Sequence, residues 1–130
     1  MDCPNCGSPV VAFEVPEDLR DTVAGEEPVV ALCTRCLTLS PATTPDADPD
    51  FSRVSREFPT LRGASVPMAL LLGLLSSLAV NRAEIERLVE RVERTGTDPL
   101  LVLDRLARDP DIEAATDLRG RQTQLEQFLD

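Results

Sequence analysis

The residues best suited to chemistry in this chain are four cysteines in two C-x-x-C pairs, Cys3-Pro4-Asn5-Cys6 and Cys33-Thr34-Arg35-Cys36. A C-x-x-C pair on a tight turn offers two sulfurs on one side of the backbone. Two such pairs supply the tetrahedral four-sulfur set that zinc prefers, with sulfurs about 2.3 Å from the metal. Pro4 stiffens the first turn, and Gly7 can take the positive φ that lets the following amides point at a sulfur. No cysteine is left over and no His competes as a ligand. The expectation is one structural Zn2+ held by Cys3, Cys6, Cys33 and Cys36, a closed site with no position for substrate. Redox use of the pairs is a weaker alternative, because neither stands at a helix start in a βαβ context. Iron or an iron–sulfur centre is a second alternative, since four thiolates suit iron as well.

Other chemistry is poorly supplied. The chain has no His, Lys, Tyr or Trp, so general acid–base groups shrink to carboxylates, and these show no catalytic spacing. No Gly-rich phosphate loop appears. The sequence reads as a non-enzyme.

The elements that must bring the cysteines together follow from patterning. Residues 9–15 and 28–32 are short runs rich in β-branched side chains and bounded by Pro or Gly, which reads as a hairpin. Leu37-Thr38-Leu39 offers a third strand. Residues 41–60 carry Pro41, Pro45, Pro49 and Pro59 among Thr, Ser and Asp, a linker composition in which Phe51 and Phe58 are anchors able to dock it. Residues 61–130 read as helical. Ser65 is placed to cap a leucine-rich helix starting near Pro67 and ending about Val80. Asn81 and Glu84 have capping-box spacing, and Ile85, Leu88, Val89 and Val92 form one apolar stripe, closed by Gly96. Asp98-Pro99 opens a helix with Leu100, Leu103 and Leu106. Asp109-Pro110 is expected to open a shorter one with Ile112 and Ala115, and Gly120 to interrupt before a last helix with Leu125 and Phe128. The fold class is therefore α+β: a zinc ribbon over residues 1–40, a Pro/Asp-rich linker over 41–60 and an α-helical domain over 61–130. A segment as apolar-poor as 1–40 needs a metal staple, so a chelator is expected to unfold it while leaving the helical signal.

Charge narrows the setting. The 130-residue chain carries 23 acidic and 13 basic residues, a net charge of -10, and every basic residue is Arg. Such a surface stays hydrated in a salt-packed cytosol and repels phosphate backbones in dilute salt. Residues 1–40 set Asp2, Glu14, Glu17, Asp18, Asp21, Glu26 and Glu27 against Arg20 and Arg35 alone, which disfavours nucleic acid as the ribbon's partner. Arg82, Arg87, Arg91 and Arg94 interleave with Glu, the pattern of a solvated helix face. Residues 64–80 carry no charge but include Pro67, Gly73, Ser76 and Ser77, which fits a buried helix better than a membrane span. Nothing behind Met1-Asp2 resembles a targeting leader, so the expected location is cytoplasmic.

The Cys-Pro-Asn-Cys-Gly element, the second Cys-Thr-Arg-Cys and the Lys-free acidic chain together resemble the small CPxCG-related zinc-finger proteins of haloarchaea. More closely, they resemble an uncharacterised family with an N-terminal ribbon and a helical remainder. The resemblance implies metal on the four cysteines and brings no activity with it. The second knuckle departs from it, with Thr34 and Leu37 where Pro and Gly would stand. The expected function is a protein-binding adaptor, with nucleic-acid or ribosome association second. Self-association through the leucine-rich helix 67–80 is a further expectation.

Overall fold

The β-branched runs on either side of the acidic connection pair as an antiparallel hairpin. In a computed structural model, β1 (Val10–Glu14) and β2 (Val29–Cys33) align with Val11 opposite Leu32 and Phe13 opposite Val30. β3 (Leu39–Pro41) pairs with the other side of β2, giving the order β1-β2-β3. The chain is α+β, and the structure describes residues 1–129, with Arg62 described by its backbone. Asp130, the end of the expected helical region, lies outside the described residues.

Strand alternation sorts the sheet into two faces. Val11, Phe13, Val30 and Leu32 enter the main apolar core, whereas Val10, Ala12, Ala31 and Cys33 cluster with Cys3 and Cys36. The third strand begins two residues later than Leu37. The chain is still turning there: Leu37 has φ 62°, and the Cys33 N–H donates to the Thr38 carbonyl at 3.0 Å. Along β1, residue Asp46 takes the place of a fourth strand. Its N–H donates to the Ala12 carbonyl at 3.0 Å, and its carboxylate accepts the Ala12 N–H at 3.1 Å.

Four helices follow: α1 (Arg62–Leu74), α2 (Arg82–Glu93), α3 (Pro99–Arg108) and α4 (Leu118–Leu129). Four expectations about them need correction. α1 starts at Arg62 rather than near Pro67 and ends at Leu74 rather than about Val80, with a single 3-10 turn at Leu75–Ser77 after it, and Ser65 is buried inside it instead of capping it. Asn81 precedes α2 but makes no cap hydrogen bond; its Nδ2 donates back to the Ser77 carbonyl and hydroxyl. Residues 109–117 form no helix, although Asp109 does cap a turn by accepting the Asp111 N–H at 2.9 Å. The Glu113 and Ala115 amides bond the Arg35 and Cys36 carbonyls instead, an every-second-residue use that extended chain allows and a helix forbids. Gly120 lies within α4 rather than before it.

The other caps hold. The Asp98 carboxylate accepts from the Leu100 and Leu101 amides at the start of α3, and Gly96 takes φ 85° after α2. The leucine-rich run belongs to the core: Met68, Ala69, Leu70, Leu71 and Leu72 of α1, and Leu75 and Leu78 just after it, are buried in the chain's own interior, with Ala79 and Val80 left exposed. Gly73 lets α1 close on the sheet, because a Cβ there would stand 2.8 Å from Leu39 Cδ2. No helix among the described residues is long and apolar enough to cross a membrane.

One apolar cluster joins sheet, helices and the segment between them. It contains Phe13 and Leu32 from the strands, Phe51, Val54 and Phe58 from residues 41–60, and the buried faces of all four helices. Phe51 packs edge-on against Phe13 at 5.2 Å and stacks on Phe58 at 5.4 Å. The helix face read as solvated is partly engaged too. Arg87 grips both carboxylate oxygens of Asp21, at 2.7 and 3.1 Å, and Arg91 meets Asp18 at 2.5 Å, fastening the acidic connection to α2.

Candidate metal centre

Two knuckles build the site from opposite ends of the hairpin. The first turn precedes β1: the Gly7 N–H donates to the Cys3 carbonyl at 2.8 Å, and the Cys3 N–H to the Ser8 carbonyl at 2.8 Å. The second turn follows β2, with Cys33 as the last residue of the strand. Each turn is closed by a left-handed residue directly after its second cysteine, Gly7 at φ 77° and Leu37 at φ 62°. The resemblance to CPxCG proteins left this second turn's shape open; it shares with the first the left-handed residue and the bond from the first cysteine's N–H, Cys33 to the Thr38 carbonyl as Cys3 to that of Ser8. Glycine adopts that φ freely, whereas an L side chain pays roughly 1–2 kcal/mol. Leu37 holds it because its side chain is buried in the main core.

All four sequence-predicted residues come together. The sulfurs of Cys3, Cys6, Cys33 and Cys36 lie within 4.8 Å of one another, and the cluster could hold a metal ion. The thiols are free, with Cys3 and Cys36 sulfurs 3.7 Å apart and Cys6 and Cys33 sulfurs 3.4 Å apart. A tetrahedron of sulfurs about 2.3 Å from a central ion has edges of about 3.8 Å, so the spacing fits such an ion. A disulfide would need about 2.05 Å.

The surroundings supply what thiolates require. The Arg35 and Cys36 amides donate to Cys33 Sγ, each at 3.4 Å, and the Asn5 amide donates to Cys3 Sγ at 3.3 Å. Asn5 Nδ2 reaches across to Cys36 Sγ at 3.7 Å, and Thr38 Oγ1 lies 3.1 Å from the same sulfur. Hydrogen bonds from the Ser8 hydroxyl and amide, then from Cys33, lower the exposed Cys6 thiol to about 6. Burial pushes the Cys33 thiol up to about 12, against the Cys36 and Arg35 amides. Burial also raises Cys36, but hydrogen bonding from Thr38, Asn5 and Cys33 outweighs it and leaves that thiol lowered. A buried sulfur that resists ionisation is stabilised as a thiolate by an adjacent divalent cation. The donor set therefore fits a thiophilic metal.

The second knuckle is also strapped from the far end of the chain. The Glu113 N–H donates to the Arg35 carbonyl at 2.9 Å, the Ala115 N–H to the Cys36 carbonyl at 3.0 Å, and Arg35 pairs with the Glu113 carboxylate at 2.7 Å. Residues 2–129 match the model of a family of unknown function, DUF6276. The chain belongs to that family. No curated protein and no solved structure matches it. In this DUF6276 member, the reading of the cysteines missed four contributors: Asn5, which bridges the knuckles, Ser8, Thr38, and the strap at residues 113–115. Asn5, Ser8 and Thr38 are polar neighbours of cysteines and were findable by position. The strap has no local signal.

Proposed function

We propose that this DUF6276 member is a zinc-ribbon adaptor working in a halophilic cytoplasm, akin to the CPxCG-type proteins of haloarchaea. Cys3, Cys6, Cys33 and Cys36 hold one Zn2+, whose role is to fix the fold rather than to catalyse. The observation that carries this reading is the convergence of four sulfurs from two knuckles, three of them on buried residues. A metal with four protein thiolates has no open position at which substrate or water could be activated. What zinc supplies here is positive charge and a tetrahedral tie between the two ends of the hairpin. The chain's own residues do the rest: backbone amides stabilise the sulfurs, and Leu37 fastens the knuckle to the core. The surface beyond the site is then free to bind another protein.

Two measurements test the proposal together. Native mass spectrometry of the purified chain, with elemental analysis, is expected to give one zinc per chain and no iron. Affinity purification in molar KCl, with and without nuclease, is expected to recover the same protein partner in both arms. A chain without thiolate-bound metal, or a partner fraction consisting only of nuclease-sensitive RNA, would overturn it.

A further inference from the structure

Beside the second knuckle the surface opens into two adjoining clefts, of about 650 and about 560 Å³, that share Arg56 and the turn Asp109-Pro110-Asp111. Together they gather Arg35, Arg53, Arg56, Arg105 and Arg108, five of the 13 arginines in a chain of net charge -10. Only three of the 23 acidic residues line them: Glu57, Asp109 and Asp111. Asp109 is turned inward, one oxygen accepting from Ser55 Oγ at 2.7 Å and the other from the Asp111 amide at 2.9 Å. Arginines thus outnumber carboxylates in the lining of this groove five to three, a share of basic groups well above that of the whole chain, while Asp46, Asp104 and Glu113 stand against three of them from outside it.

Its guanidinium groups are loosely held. Arg56 meets no carboxylate among the described residues. Arg53 donates to the Val10 carbonyl at 3.4 Å but stands 3.9 Å from Asp46, and Arg105 is 3.6 Å from Glu57, so neither makes a good hydrogen bond to its carboxylate. Arg35 and Arg108 make closer pairs with Glu113 and Asp104, at 2.7 and 3.2 Å, yet both guanidinium side chains stay at least half exposed. Exposed pairs of this kind are worth little and exchange readily.

We propose that this groove docks an acidic segment, rich in Asp and Glu, of the protein that the adaptor binds; the inference rests on the adaptor reading above. Planar guanidinium forks match carboxylates in bidentate fashion, a geometry that a simple ammonium lacks. The same forks match phosphate, but single-stranded nucleic acid is also held by bases stacked on aromatic side chains. No aromatic side chain lines the groove for bases to stack on: Phe13, Phe51 and Phe58 are buried, and Phe128 lies under the Arg82 guanidinium at 4.6 Å.

The test uses the full, metal-loaded chain and two fluorescent probes, a 12-residue Asp/Glu peptide and a 12-nucleotide single-stranded RNA, in dilute and molar KCl. Anisotropy is expected to show peptide binding that Arg56→Glu with Arg105→Glu weakens about tenfold or more. Arg119→Glu with Arg121→Glu on α4 makes the same change in net charge and is expected to leave binding within about twofold. Circular dichroism checks both folds, and Arg56→Gln gives a milder loss in the same direction if the reversal variant fails to fold. Equal weakening by the two double variants, no peptide binding, or RNA binding tighter than peptide would overturn the groove's assignment. Crosslinking in molar KCl separates it from the adaptor reading. A partner retained by the groove variant sinks the groove alone, whereas no protein partner for the unaltered chain sinks the adaptor.

Discussion

Replacing Phe51 by Ala is the sharpest probe of how residues 41–60 are held. Phe51 is 5% exposed, edge-on to Phe13 and stacked on Phe58, so it ties the Pro/Asp-rich segment to β1. Truncating a buried Phe to Ala costs about 3–5 kcal/mol in transfer and cavity terms. The two ring contacts account for part of that, at about 0.5–1.5 kcal/mol each. A domain of this size is stable by only about 5–15 kcal/mol, so Phe51→Ala should lose a large share of it. Phe51→Leu keeps most of the apolar volume and should cost about 1–2 kcal/mol, chiefly the aromatic contacts. Urea unfolding followed by circular dichroism in molar KCl, on metal-loaded protein, measures both. If Phe51→Ala moves the stability by less than about 1 kcal/mol, the segment is not docked in solution and the single shared core is wrong.

Three further outcomes follow from the site and its supports. Leu37→Gly should be more stable than Leu37→Ala by about 1 kcal/mol, the reverse of the usual order, because both lose the buried side chain but only Gly relieves the left-handed φ. The same urea experiment reads it, and an Ala variant as stable as the Gly variant would contradict the turn. Because the core spans the sheet and all four helices, chelating the metal should lower one common unfolding midpoint in far-ultraviolet circular dichroism. An early separate loss of residues 1–40, the outcome that composition alone predicts, would show instead that the ribbon folds apart. Finally, hydrogen bonding to Arg91 and to Arg87 holds Asp18 and Asp21 below the ordinary carboxylate range. Groups depressed in the folded state stabilise above their unfolded value, about 3.9, and lose that contribution as pH falls through the folded value. The urea midpoint of the unaltered chain should therefore drop more steeply below about pH 4 than that of Arg87→Ala, and identical acid limbs would refute the clamp.

What could be read from residues alone was whatever is encoded by near neighbours. The two C-x-x-C pairs, the hairpin around the acidic connection, the apolar stripe of α2 and the Asp98-Pro99 start of α3 are all local patterns, and all appear where expected. The failures are places where tertiary demand overrode a local cue. Ser65 looks like a cap, yet α1 begins earlier and Ser65 is enclosed by the core. Asp109-Pro110 looks like a second helix start, but the amides that a helix would need are taken by the Arg35 and Cys36 carbonyls. Arg87 and Arg91 looked solvated because their carboxylate partners lie far away in sequence. At the candidate metal site, the four sulfurs were legible from spacing, while the strap over the second knuckle depends on a pairing between segments far apart in sequence.

Asp46 has a consequence for how anything else can approach the molecule. By bonding both main-chain groups of Ala12, it blunts the outer rim of the hairpin, and the opposite rim is only the three residues Leu39–Pro41, ending in a proline without an N–H. Neither side offers a run of unsatisfied amides on which a foreign strand could lengthen the sheet. Addition of a strand to this sheet is therefore disfavoured on both rims.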